Sequence, residues 1–148
     1  MISQKAKYAL RALIMLAKEQ HGTPLFISKI AQNQRIPKKF LEQILLDLKH
    51  HGIVTSRRGK SGGYLLLRPA DDITFGEILR IIDGPIAPLP CLSKKAYRRC
   101  DDCLSEGSCE VRRVFARVAA ATREILDKTT IADAVHAAPA EAARVVAS

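Results

Sequence analysis

The chain has no tryptophan, and its other aromatic residues are three tyrosines and four phenylalanines among 148 residues. Any core must therefore be built mainly from aliphatic side chains. An uninterrupted apolar run of the roughly 18 residues that would suggest a membrane span is also missing. The N-terminal MISQKAKYALRALIMLAKEQ is basic and then apolar, as a secretion signal is. Arg11 interrupts its apolar part, however, and no small-residue cleavage site follows. There is no strong basic-faced amphipathic helix and no lipidation signal. These absences point away from the membrane and towards a soluble cytosolic protein. Outside one short stretch the chain also lacks a nucleophile–base pair or paired carboxylates, which argues against an enzyme. Cysteine is absent everywhere except residues 91–109, where all four occur.

The apolar fraction of 47% is ample for a packed core, and the length suits one domain or a small domain with an appended arm. Acidic residues are scarce in the first half. Residues 1–68 carry 13 Lys+Arg and 3 Asp+Glu, a net of +10, whereas residues 69–148 carry 11 and 12, a net of −1. The first half is thus the candidate for a polyanionic partner, against the plainer reading of a generically basic surface.

Residues 4–18 place Ala6, Ala9, Leu10, Leu13, Ile14, Leu16 and Ala17 at helical spacing, and His21-Gly22-Thr23-Pro24 ends the pattern. Ser28 can cap a short helix, KIAQNQ. Arg35-Ile36 forms a turn, and Pro37 suits the first position of a helix running to about His50. That helix has a stripe of Phe40, Leu41, Ile44, Leu45 and Leu48, with Gly52 as its stop. IVTSR and YLLLR read as two short strands around the glycine turn RGKSGG. Thr74 and Glu77 have capping-box spacing and open a helix to about Ile82. Residues 83–109 form a long, proline-containing connection, and such loops are usually functional or metal-organised. A strong helix from Glu110 to Leu126 carries the stripe Val111, Val114, Phe115, Val118, Thr122, Ile125 and Leu126. Thr129 or Thr130 caps a last turn, IADAV, and residues 137–148 read as a disordered Ala-rich tail. The expected architecture is mostly α with a small β-hairpin wing.

Helix, helix–turn–helix and hairpin is the order of a winged helix-turn-helix, whose second helix of the pair enters the major groove. The exposed positions at the start of that helix are Lys38, Lys39, Glu42 and Gln43. Lysines meet phosphate or guanine, glutamate accepts from cytosine, and glutamine serves adenine. The alternative is a merely solvated face. The hairpin tip sets Arg57, Arg58 and Lys60 beside glycines, including Gly62 and Gly63, that let a backbone approach a phosphate chain. An arginine there suits a narrow minor groove, against the alternative of an ordinary charged hairpin.

The segments YALRALIMLA and IPKKFLEQILLDLKHHGIVTSRRGKSGGYLLLRPADDITFGEILRIIDG, followed by a cysteine cluster, resemble the Rrf-two family. Its types include IscR-like, NsrR-like, RirA-like and CymR-like regulators. The resemblance covers residues 1–135. It implies a homodimeric winged-helix transcription regulator, a repressor or an activator, bound to double-stranded DNA at a near-palindromic operator. It puts Lys39, Phe40 and Glu42 at DNA-facing positions and Arg58 at the wing arginine; Ser28 is grouped with these DNA-facing residues. The helix from Glu110 becomes the dimerisation helix. The implied division is a DNA-binding domain over residues 1–83, a sensor loop over 84–109, and a dimerisation and terminal helix over 110–136.

The cysteines are spaced C-x8-C-x2-C-x5-C. Four thiolates suit an iron–sulfur cluster, [2Fe-2S] or [4Fe-4S], and zinc alike. Only Cys100 and Cys103 have a tight chelating spacing, and the paired knuckles of a zinc ribbon are missing. The nearby Lys94, Lys95, Arg98 and Arg99 favour thiolates, and Asp101 and Asp102 partly oppose that. A thiol–disulfide switch, for instance Cys100 with Cys109, and plain unliganded cysteine stay open. The resemblance matches Cys91, Cys103 and Cys109 to cluster ligands and leaves Cys100 extra, as a replacement fourth ligand or a bystander. It implies sensing of iron–sulfur status, redox, or nitrosative or oxidative stress.

Overall fold

Ser3 starts the first helix. Its hydroxyl accepts from the Ala6 N–H at 2.9 Å, the capping bond that a helix N-terminus needs. In the computed structural model, which describes residues 2–19 and 22–137, the elements are α1 (Gln4–Lys18), α2 (Ile27–Gln34), α3 (Lys38–His50), β1 (Val54–Arg57), β2 (Gly63–Leu66), α4 (Phe75–Asp83), α5 (Glu110–Lys128) and α6 (Ile131–His136). The molecule is mostly helical with one two-stranded antiparallel hairpin. Among the described residues no helix is long and apolar enough to cross a membrane. The tail expected over 137–148 lies outside the described residues except for Ala137, and so does His21.

α1 is the central element. Ala6, Ala9, Leu10, Ala12, Leu13, Met15 and Leu16 are buried, and the helix packs against α2, α3, α4, α6 and β2. Small alanines along one face let the neighbours approach closely. Arg11, which breaks the apolar run of this segment, reaches the last carbonyl of α2 at Gln34 and lies 5.9 Å from the Tyr8 ring centroid. A cation at a helix C-terminus is well placed against the helix dipole.

α3 matches its expected span, with Leu41, Ile44, Leu45 and Leu48 fully buried. Its end is a Schellman turn: Ile53 N–H donates to Leu48 at 2.9 Å, Gly52 N–H to Lys49 at 3.1 Å, and Gly52 takes φ +71°. Three local expectations shift. Pro37 is the N-cap and not the first helical residue. α2 begins at Ile27 after Phe26, so Ser28 lies inside its first turn and caps nothing. Thr74 does cap α4, accepting from Glu77 N–H at 3.1 Å, but the return half of the box is absent. The Glu77 carboxylate is taken by Arg68, at 2.7 Å. The full reciprocal box occurs instead at Thr130 and Asp133, which selects Thr130 over Thr129 as the cap of α6.

The hairpin is tied to the segment between α1 and α2 by an isolated bridge. Leu25 and Tyr64 exchange both backbone hydrogen bonds, at 2.8 and 2.7 Å, adding a third short edge beside β2. Gly63 makes this contact feasible. Its φ is +129°, and a Cβ there would stand 2.4 Å from the Leu25 carbonyl. Gly63→Ala is therefore expected to destabilise the fold by about 1–3 kcal/mol through backbone strain alone. Urea unfolding with an unchanged midpoint would contradict this account of the hairpin.

Candidate nucleic-acid interface and thiol cleft

Helix α3 buries one face against α1, α2 and α4 and leaves Lys38, Lys39, Glu42, Gln43 and Leu46 exposed. The side chains of Lys38, Lys39 and Glu42 make no hydrogen bond or ion pair among the described residues. Gln43 is partly committed, donating to the Asp47 carboxylate at 3.1 Å. Asp47 also pairs with Lys5 at 2.7 Å, and that hydrogen bond is the main reason its carboxyl is held below the usual value. Phe40 does double duty. Its ring packs edge-on to Tyr8 at 5.7 Å between centroids, and part of it stays open to solvent. Leu46, exposed on the same helix, carries no polar or charge signal by which the sequence could have marked it.

Lys49 donates to Ser56 Oγ at 2.8 Å and so fixes α3 to the wing. At the wing tip Arg57, Arg58 and Lys60 are exposed, and their side chains have no partner among the described residues. Gly59, with φ +102°, has open space around its α-carbon. Gly62 and Gly63 differ from it. Gly62 is buried, with the Arg57 carbonyl 2.4 Å from where a Cβ would sit, so both glycines have a folding reason to be glycine. Ser28 is exposed in the first turn of α2. The arrangement gives one unpaired cationic helix face beside one unpaired cationic hairpin tip, the chemistry that phosphate contacts require.

The long connection after α4 holds one short 3-10 turn, Pro90–Leu92. It brings Cys91, Cys100, Cys103 and Cys109 together around a single cleft of about 430 Å³, with Asp102, Glu106 and Arg112 also on its wall. Cys91 is buried and the other three are half-buried; all four are free thiols. Cys109 is the N-cap of α5, its sulfur accepting from Arg112 N–H at 3.4 Å. Arg99 crosses the loop to the Cys103 carbonyl at 2.9 Å. The basic flanks do not make every thiol acidic. Desolvation, then the charge of the nearby Cys91, pushes the Cys100 thiol up. Among the described residues no three His, Cys, Asp or Glu side chains are disposed to hold a single metal ion.

α5 runs from Glu110 to Lys128 and buries one side chain, Ala119. Val111, Val114, Val118 and Ile125 are 57, 58, 46 and 65% exposed along its stripe, while Leu126 packs against the core. The stripe is thus real, but most of it faces away from the chain's own core.

Comparison with known proteins fits this arrangement. The Rrf2 family model, described as an iron-dependent transcriptional regulator, matches residues 2–137. The chain belongs to the Rrf2 family. A Rhodobacter capsulatus protein named as an rrf2-like HTH-type transcriptional regulator is 51% identical over 93% of both chains. CymR of Bacillus subtilis, whose structure is described as that of a global cysteine regulator, is similar at 34% identity. It superposes with a TM-score of 0.75, covering 91% of this chain and 95% of that one. T. potens IscR superposes with a TM-score of 0.70 at 29% identity, over 91% of this chain and 85% of that one. As an Rrf2 member the chain is a DNA-binding transcription regulator, and its relatives are regulators rather than enzymes.

In this Rrf2 chain all four thiols, Cys100 and Cys109 among them, line the same cleft. Treating metal-free protein with hydrogen peroxide should close a disulfide within this loop, two thiols giving one disulfide while the peroxide becomes two waters. Peptide mapping by mass spectrometry checks it; four thiols still free after treatment would contradict the shared cleft.

Proposed function

We propose that the chain works as a homodimeric, cytoplasmic repressor whose cysteine loop senses iron–sulfur status or redox and alters its hold on a near-palindromic operator. The observation that carries this reading is the convergence of all four thiols on one cleft at the start of α5, the helix whose apolar face is bare. Two copies of that face buried against each other would satisfy it and would set two α3 helices about a two-fold axis.

In this reading Lys38, Lys39, Phe40, Glu42 and Gln43 address the major groove. Ser28 meets backbone phosphate, and Arg58 enters the minor groove with Arg57 and Lys60 on its flanks. Gly62 and Gly63 shape the wing, and Gly59 gives its tip room to approach the DNA. Cys91, Cys103 and Cys109 hold an iron–sulfur group, with Cys100 as the fourth thiol. Bound there, such a group would supply one-electron redox chemistry and sensitivity to oxidants. Single-ion zinc requires four donors about 2.3 Å from one point. Four thiols on one cleft are a donor set that suits an iron–sulfur group and zinc alike, and the resemblance favours the first. A second reading, a thiol–disulfide switch with no cluster, draws on four free thiols sharing one cleft.

Iron and acid-labile sulfide in anaerobically purified protein are the expected result; zinc, or neither, would reject the cluster. Arg58→Ala should weaken operator binding at fixed salt, and exchange of Glu42 should relax preference at one base pair by about 1–3 kcal/mol. Undiminished operator affinity of Arg58→Ala would remove the wing assignment. Val114→Lys with Val118→Glu should give monomers in ultracentrifugation, and an intact dimer would remove the α5 seam.

A further inference from the structure

Among the described residues one buried side-chain nitrogen or oxygen lacks a hydrogen-bond partner: Nε of Arg112. Buried polar atoms are seldom left so, and an unmade bond is most costly when the donor is charged. Arg112 stands in the first turn of α5, three residues after Cys109, and lines the cleft that the four thiols share. Its backbone N–H already serves the Cys109 sulfur. Asp102 and Glu106 lie on the same wall, yet neither reaches Nε, and Glu106 instead accepts from the Tyr97 hydroxyl. The protein has therefore placed a permanently charged donor at the edge of a sulfur-lined cleft and supplied it with no acceptor.

An acceptor would arrive with an occupant of the cleft. Thiolate-held metal groups carry negative charge, because their cysteines bind deprotonated. Hydrogen bonds to the sulfurs of an iron–sulfur group tune its reduction potential. We propose that the Nε–H of Arg112 donates to a sulfur of the iron–sulfur group held in this cleft, so that Arg112 helps retain the group and raises its potential. This rests on the cluster reading above. Arg112 is a positioning residue and not a ligand, since guanidinium does not give up its proton in proteins. Lysine would keep the charge and lose the planar donor.

The test is a redox titration of the full chain, reconstituted anaerobically with iron and sulfide and followed by visible absorbance. It compares the parent with Arg112→Met and Arg112→Lys and adds iron retention against a chelator. Arg112→Met should titrate at a more negative potential and hold iron about 10–100-fold less tightly, the usual effect of removing an outer-sphere partner. Arg112→Lys should fall between the two. Should Arg112→Met fail to fold, Arg112→Lys decides alone: a lowered potential supports the proposal and a parental one overturns it. Parental potential and retention in both variants would overturn the role of Arg112 and leave the cluster standing. A parent chain that takes up no iron and sulfide would overturn both.

Discussion

Helix α5 is fastened at one end. Near its last turn Asp127 pairs with Arg80 at 2.7 Å and sits against Gly76, where a Cβ would stand 2.1 Å from the carboxylate. Just beyond, Phe75 N–H donates to the Thr129 carbonyl at 2.9 Å and Ile131 N–H to Ile73 at 2.8 Å, so the chain is stitched back to the start of α4. The first turn of α5 has no such fastening: among the described residues no hydrogen bond or ion pair joins it to α1–α4. It is positioned through the cysteine loop, which leaves α4 at Asp83 and returns as the Cys109 cap. A 19-residue helix spans about 28 Å. A small change of direction at its loop end becomes a large displacement of whatever its exposed face carries.

The other end of the molecule is rigid by comparison. α1 supplies one continuous buried face, α3 closes with a satisfied Schellman turn, and the wing is held by the Leu25–Tyr64 bridge and the Lys49–Ser56 bond. What remains unpaired on the DNA-facing side of that frame is mostly cationic, Lys38, Lys39, Arg57, Arg58 and Lys60, with Glu42 among them. Ion pairing has been spent elsewhere, on Lys5–Asp47, Arg68–Glu77 and Arg80–Asp127, which join elements to one another. The division is consistent with a reader that needs fixed geometry and free charge, attached to a helix whose setting depends on a loop.

Much of this was legible in the residues. Apolar spacing located α1, α3 and α5 because their stripes are long and periodic, and the glycine turn located the hairpin. The α5 stripe could be read, but not which side of the molecule would cover it, since spacing says nothing of partners. The bridge from Leu25 to Tyr64 escaped notice because one residue pair, distant in sequence, leaves no pattern. Its trace was the double glycine at 62–63, which reads as turn chemistry until the Leu25 backbone is seen against it. Thr74 and Glu77 had the right spacing for a reciprocal box, yet Arg68 captured the carboxylate. In the loop, spacing could not decide sulfur neighbours, because irregular chain has no period. Nothing in the residues around Arg112 signalled that its Nε would be buried without a hydrogen-bond partner.

The central claim is that the state of the cysteine loop sets the grip of α3 on DNA. The direct measurement is operator affinity of one preparation before and after anaerobic removal of its iron–sulfur group, by fluorescence anisotropy at constant salt. The account predicts a change of about 5–150-fold, the usual range of an allosteric coupling. Equal affinity in the two states would contradict it.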